Sequence, residues 1–433
     1  LARNSLGENP DMATDAPNQP RRSTRRTLVE NLLSLAAFQA IAYLAPLLTL
    51  PYLARVLGAE LLGVVAFAQA LVTYVRAVVE YGFKLTATRD IAAARADPQA
   101  VRRIFCAVTL TRALLAAACL GVFALLLALV PMFRAEALLY LFAFVVVLGD
   151  LLIPVWFFQG MEDMKFITVL NVIARTLFTL AVFVFIREPG DYVWVPLLDS
   201  LGFVAAGLFS MAIVVRRFDM RWVPVGLAEV RAQLKTSFSV FVTDFVPNLY
   251  NNTTILLLGL FASKAQVGTF TAAARIVDVA ISPAYVISRT YYPLLNRDFS
   301  HFRRFQAYVL GAGLGLSLAL VGASDWLVDT FLTAEFERTK LLLKILGPSP
   351  LLIAAVVCYG TNYLLVQRRD QLYMRLTLAV SLLGFCAALV LVPWAAEAGA
   401  SWSLVSSRTL LALVCLAAFL RLRGDPDGHR RAT

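Results

Sequence analysis

The chain has 433 residues, of which 60% are hydrophobic and only 15% charged, with a formal net charge of +11 and a mean hydropathy of +0.74. A soluble chain carries about a quarter charged residues; here the deficit falls in apolar runs of about 20 residues, the length that crosses a hydrocarbon core as helix. Segments of ~10 alternating residues, as in a membrane barrel, are missing from the pattern, so backbone satisfaction in lipid leaves helices and the expected class is an all-α polytopic membrane protein.

In chain order, about twelve spans are expected near 30–53, 61–82, 104–130, 136–159, 166–187, 192–215, 237–262, 266–293, 305–330, 341–366, 371–394 and 400–420. Residues 1–27 are polar and end in Arg21, Arg22, Arg25 and Arg26, which predicts a disordered cytoplasmic tail rather than a signal peptide. The basic stretch 216–236 divides a six-helix lobe at 28–215 from a second at 237–420, and 421–433 forms a cytoplasmic tail.

Charge placement sets the orientation. With the N-terminal tail inside, 26 of the 39 Lys and Arg fall on the cytoplasmic side, seven on the other and six within spans. That asymmetry in short loops is the positive-inside rule, with both termini cytoplasmic. The net charge therefore reads as topology and contact with anionic lipid; basic residues dispersed over many short loops argue against nucleic-acid binding. The five cysteines lie in apolar helix, where a thiol packs as a small hydrophobe, and the only histidines are His301 and His429. No CxxC occurs, so neither a metal site nor a Ser-His-Asp triad is expected.

At an offset of 205 residues, Leu61-Leu62-Gly63-Val64 aligns with Gln266-Val267-Gly268-Thr269, and Leu71-Val72 with Ile276-Val277. An even number of spans per half gives both halves one orientation, the parallel repeat of secondary transporters, which bind substrate between repeats near the midplane. Pro46 and Pro51, Pro247 and Pro283 fall within spans, where each removes a backbone hydrogen bond and either bends a helix for gating or is simply tolerated.

Ionisable groups at bilayer depth are costly unless they face a cavity or a partner. At 1.5 Å per residue, Arg76, Asp150 and Arg175 lie ~9–15 Å from the cytoplasmic surface, with Asp244 about as deep; Arg275 and Arg408 lie ~12–14 Å from the other. Asp150 with Arg175 reads as a buried interhelical pair or as a cavity pair, and Arg275 with Asp278 share a helix face and either neutralise each other or line the space. Arg76 and Arg408 lack an acidic neighbour at helical spacing and suit an anionic substrate, because guanidinium binds phosphate bidentately. Arg112, Arg289 and Glu80 sit shallow enough to reach the interface. Asn251 and Asn252 follow Pro247 in the seventh span, where they either stitch helices together or, beside the kink, line the cavity, the reading preferred here. The substrate-binding candidates are thus Arg76, Arg175, Arg275, Arg408, Asn251 and Asn252. Asp244, Asp278 and Asp150 are the candidates for coupling to H+ or Na+, Asp244 first, since a backbone carbonyl freed by Pro247 would join its carboxylate around a cation. No other cofactor is expected.

Several segments carry a family resemblance: Pro51-Tyr52-Leu53-Ala54-Arg55-Val56-Leu57-Gly58, Tyr81-Gly82-Phe83, Thr86-Ala87-Thr88-Arg89-Asp90-Ile91-Ala92, Trp156-Phe157-Phe158-Gln159-Gly160-Met161-Glu162, Asn251-Asn252-Thr253 and Val267-Gly268-Thr269-Phe270-Thr271-Ala272-Ala273. Together they resemble the oligosaccharide flippases of the polysaccharide-biosynthesis family, within the multidrug/oligosaccharidyl-lipid/polysaccharide exporter superfamily, over residues 28–420. Arg289-Thr-Tyr-Tyr-Pro293 and the chain end are less similar. The resemblance implies transport of an undecaprenyl-diphosphate-linked oligosaccharide across the bacterial inner membrane by alternating access, for O-antigen, capsule or exopolysaccharide assembly, with polysaccharide polymerase and export machinery as partners. It also implies that Arg76 and Arg275 engage the diphosphate or acidic sugars. A multidrug exporter would favour an acidic cavity for cationic cargo. A membrane polymerase or ligase would need a substantial external loop, whereas 331–340 is short and offers only Glu335 and Glu337. A scaffold leaves the buried charges unexplained.

Overall fold

The computed structural model describes residues 24–423, with the side chains of 24–47, 243, 244 and 246–252 outside the described set. Of the expected tail 1–27, residues 1–23 lie outside it and 24–27 are helical instead; the residues after 423 lie outside it too, as do the side chains of Pro46, Asp244, Pro247, Asn251 and Asn252. By contact the chain divides into Leu1–Ala40 and Ile41–Thr433. The first contributes helix from Thr24 onward; the second holds the packed helices and the cavities between them.

The described residues are predominantly helical, and among them nine stretches are long and apolar enough to cross a membrane. The principal helices are α1 (Thr24–Glu80), α2 (Phe83–Ala94), α3 (Pro98–Leu129), α4 (Ala137–Leu152), α5 (Lys165–Phe185), α6 (Trp194–Phe218), α7 (Leu227–Phe261), α8 (Lys264–Arg297), α9 (Phe302–Gly322), α10 (Glu337–Leu346), α11 (Ser349–Ala355) and α12 (Asp370–Arg423). Local sequence accounts for several starts. Asp97 accepts hydrogen bonds from the Gln99 and Ala100 amides ahead of Pro98, and Ser263 forms a capping box with Gln266.

Two helices hold breaks that separate expected spans. A straight 54-residue helix would run about 80 Å, against a hydrocarbon core of about 30 Å. α12 turns instead at Ala395–Ala396, where φ reaches 45° at Ala396, and the backbone of Gly399 comes to lie against the Leu391 carbonyl. α1 is interrupted at Gly58, whose φ of +72° suits a residue without a Cβ.

Elsewhere the boundaries shift. The linker expected at 216–236 shrinks to 219–226: α6 continues through Arg216 and Arg217, which favour the negative end of a helix, and α7 begins with Glu229 in its first turn. The span expected at 305–330 is α9 plus a separate helix, Ser324–Phe331. The span at 341–366 is α10, α11 and then a π-helix, Val356–Leu364. Pro283 sits within α8 without a helical break.

α4 packs along α6 and α6 along α5, while α2 lies against the short helix Val155–Gly160. α8, α9, α10 and α11 form a second set of mutual contacts, and α7 runs along α12. Large apolar side chains on outward faces, such as Leu129 (70% exposed) and Trp394 (83% exposed), suit hydrocarbon rather than water.

Candidate functional site

Residues Gln69, Thr73 and Arg76 recur at helical spacing on α1 and face a cavity of about 200 Å³. Thr49 from α1, Arg175 from α5, Asp199 and Ser200 from α6, and Thr271 and Arg275 from α8 complete its polar lining. A neighbouring cavity of about 430 Å³ shares Thr73 and Arg76 and adds Glu80, Arg112, Asp150 and Asn171. Three arginines from three helices thus converge on the first cavity, where Asp199 is the single lining carboxylate among the described residues.

The pairing differs from that suggested by position along the helices. Arg76 grips Asp150 through both Nε and a terminal nitrogen, the latter 3.0 Å from Oδ1. Arg175 lies 3.5 Å from Asp199 instead of pairing with Asp150. Both guanidinium groups sit over the Phe203 ring, at 5.5 and 5.4 Å from its centre, so a single aromatic ring contacts both cations. Arg112, expected to reach the interface, is instead 2% exposed; it donates to Glu80 and to the Asp150 carbonyl, both at 3.0 Å. It ties the end of α4 to α1 and so fixes the height of Asp150.

Arg275 has no such carboxylate grip. It donates to the Gln69 amide oxygen at 3.2 Å and is open to solvent through the cavity. Asp278 is likewise accessible, with Arg408 and Arg275 as the cations in electrostatic reach. Arg408 is buried, with Nε and one terminal nitrogen lacking a hydrogen-bond partner among the described residues, and lines neither cavity. Asp244, Asn251 and Asn252 belong to α7, with side chains outside the described set. Gln69, Thr73 and Phe203 are among the participants not singled out from sequence. The 69–73–76 spacing is a signal for the first two; Phe203 is one of many phenylalanines and gives none.

One end of this region is sealed by backbone contact. At Gly63 a Cβ would run into the Lys264 carbonyl, and at Gly268 into the Ala59 carbonyl. Close by, Arg55 donates to the Thr330 carbonyl at 2.7 Å, the Ala59 amide donates to Glu335 at 2.8 Å, and Lys264 approaches Glu136 at 3.4 Å. At the other end Tyr81 stacks on Phe241 with centroids 4.6 Å apart, and the Thr86 and Ser237 hydroxyls are 2.8 Å apart.

The fold is that of a membrane transporter. The lipid II flippase MurJ in its inward closed conformation superposes with a TM-score of 0.70 at 11% identity, covering 88% of this chain and 87% of that one. An inward-facing multidrug resistance MATE family transporter of the MOP superfamily gives 0.66 at 15% identity, covering 89% and 94%. The chain belongs to the polysaccharide biosynthesis protein family, which matches residues 28–298. The Escherichia coli (strain K12) protein named "Putative O-antigen transporter" is 30% identical over 410 residues, 92% of this chain and 97% of the relative. A Shigella dysenteriae protein of the same name is 24% identical over 90% of this chain and 99% of its own length. The protein is therefore a multi-pass membrane transporter of polysaccharide biosynthesis, not an enzyme.

Proposed function

We propose that the protein translocates undecaprenyl-diphosphate-linked oligosaccharide repeat units across the bacterial inner membrane, with both termini cytoplasmic. In this reading two six-helix lobes, 28–215 and 237–420, rock about the central cavity in alternating access. Lipid and linked glycan are the ligands, and a polysaccharide polymerase and export machinery are the neighbours. The carrying observation is the convergence of Arg76, Arg175 and Arg275 on one cavity with a single lining carboxylate. Such a lining suits a diphosphate or acidic sugar and disfavours cationic drugs. Arg275 is the residue whose charge is most available, since its partner Gln69 is neutral. The glycan class comes from the relatives' names.

Coupling to H+ or Na+ is assigned to one of Asp150, Asp244 and Asp278. Asp150 is engaged by Arg76, which leaves Asp244 as the first choice and Asp278 as the second. The test is flipping of a labelled undecaprenyl-diphosphate oligosaccharide in proteoliposomes. Losing one charge-assisted contact of about 1.5–3 kcal/mol should slow Arg275→Ala by ~10–100-fold, with partial rescue by Lys. Asp244→Asn should bind substrate yet ignore an imposed gradient. Unchanged flipping by Arg275→Ala would overturn the substrate reading; gradient-following flipping by Asp244→Asn would move coupling to Asp278.

A further inference from the structure

A third cavity, of about 340 Å³, lies away from the central pair and shares no residue with them. It forms where the turn Phe299–His301, the start of α9, the end of the π-helix and the last turn of α12 meet. Phe299, Phe302, Tyr363 and Phe419 wall it, with Phe299 stacked on Phe302 at 4.8 Å and Tyr363 edge-on to Phe419 at 4.7 Å. Arg303 and Arg423 stand exposed at its rim, Arg423 6.0 Å above the Phe419 ring. Gln306 and Gln367 add amide donors, while Ser300, also in the lining, gives its hydroxyl and amide to Asp298 just outside it; no carboxylate lines the cavity itself among the described residues. The same segment ends carry Arg297, Arg304, Arg368, Arg369 and Arg421, on the face assigned to the cytoplasm by charge.

The first half of the chain holds a counterpart that shows what this cavity is not. The offset of 205 residues places Tyr363 on Phe158, within a cluster of Phe105, Trp156, Phe157, Phe158 and Phe218. There Arg217 lies over Phe218 at 5.9 Å much as Arg423 lies over Phe419. That cluster is closed: Trp156, Phe157 and Phe158 are 0% exposed. Its arginines are also neutralised, Arg95 by Glu162 at 2.9 Å, Arg217 by Asp163 at 3.0 Å and Arg102 by Asp219 at 2.5 Å. In the second half only Tyr363 has an aromatic counterpart at that offset, since Phe299, Phe302 and Phe419 fall on Ala94, Asp97 and Val214; its aromatics border a void, and Arg303 and Arg423 have no ion-pair partner among the described residues. A structural role alone is already met by the closed version.

We infer that this cavity binds the phosphate headgroup of an anionic lipid from the adjoining leaflet. The two guanidinium groups supply the bidentate donors that phosphate accepts. The aromatic walls cover the glycerol and the first methylenes, and amphipathic rings at the membrane–water boundary favour that position. Basic pockets between membrane helices recognise anionic headgroups by this combination.

The test uses the full chain in nanodiscs of phosphatidylcholine doped with phosphatidylglycerol, with retained lipid read by native mass spectrometry. Phosphatidylglycerol should be retained over phosphatidylcholine, and the double variant Arg303→Gln/Arg423→Gln should lower that preference about tenfold. The double Lys variant, which keeps the charge, should restore part of it, and this separates binding from misfolding. Equal retention of the two lipids by the wild-type chain, or full retention by the Gln variant, would overturn the inference. Displacement of phosphatidylglycerol by inorganic phosphate would make free phosphate the ligand and overturn the lipid assignment. Retention only after deletion of residues 424–433 would mean that the tail, which carries Asp425 and Asp427, fills the cavity instead.

Discussion

Gly63 and Gly268 make the same contact in opposite directions: a Cβ on the first would strike the carbonyl of Lys264, and a Cβ on the second the carbonyl of Ala59. Residues 59 and 264 are separated by 205 positions, as are 63 and 268. Reciprocity of this kind is what a two-fold operation produces when each of two repeats presents the same patch to the other. The faint internal repeat in the sequence therefore meets itself in space, where α1 crosses α8, and the absence of two side chains is what lets the backbones touch.

That crossing should tolerate little added volume. Gly63→Ala and Gly268→Ala are each expected to weaken it by about 1–3 kcal/mol, as overpacking does in tight interfaces. Valine should do more. With the crossing forced apart, a cysteine placed at Gln69 should react faster with an impermeant thiol reagent in a background lacking the native cysteines. Unaltered labelling by both valine variants would mean that the crossing does not seal the cavity.

Arg76 and Arg275 should fail in different ways. Arg76 grips Asp150, so Arg76→Ala strands a partly buried carboxylate at a cost of about 1–3 kcal/mol and should lower the amount of protein in the membrane. The double variant Arg76→Ala/Asp150→Ala should recover abundance without recovering export. Arg275→Ala removes a hydrogen bond to a neutral amide and should leave abundance near wild type while export falls. Immunoblotting of membranes beside a surface-glycan assay separates the two; equal abundance of both alanine variants would refute the distinction.

Glu335 ties across to the break in α1. Its carboxylate accepts from the Ala59 amide at the start of the helix beyond Gly58, and a Cβ at Gly58 would lie 2.6 Å from its Oε2. A carboxylate at a helix N-terminus gains from the unpaired amides there. Gly58→Ala should be hurt twice, by the positive φ and by displacement of Glu335, whereas Glu335→Gln keeps an acceptor and should be milder than Glu335→Ala. The ordering Gly58→Ala worst, Glu335→Ala next and Glu335→Gln least is the expected result in labelling of a cysteine at Gln69. A Gln variant as open as the Ala variant would show that the contact is not an acceptor interaction.

The orientation is testable on its own. The 26-to-7 division of Lys and Arg predicts that Glu337→Cys reacts with an impermeant reagent added outside the cell and that Ser5→Cys reacts only after permeabilisation. Reaction of Glu337→Cys solely after permeabilisation would invert the topology.

By itself the sequence determined the material of the fold: apolar runs of spanning length, caps such as Asp97 and Ser263, and a charge asymmetry from which an orientation is expected. It also located the cations at depth, because an arginine inside an apolar run is visible in one dimension. What it left open was which charge meets which. Arg76 and Asp150 are 74 residues apart, and Arg175 and Asp199 lie on successive helices whose rotation about their own axes no depth count supplies. Arg112 shows the same limit, since distance from a helix end places it near the interface while packing against Glu80 and the end of α4 buries it. The open aromatic cavity of the second half and the closed cluster of the first likewise each gather aromatics and arginines from separate segments of the chain. Only tertiary packing decided which would fill its own interior and which would leave room, because that depends on how side chains from segments far apart in the chain meet in three dimensions.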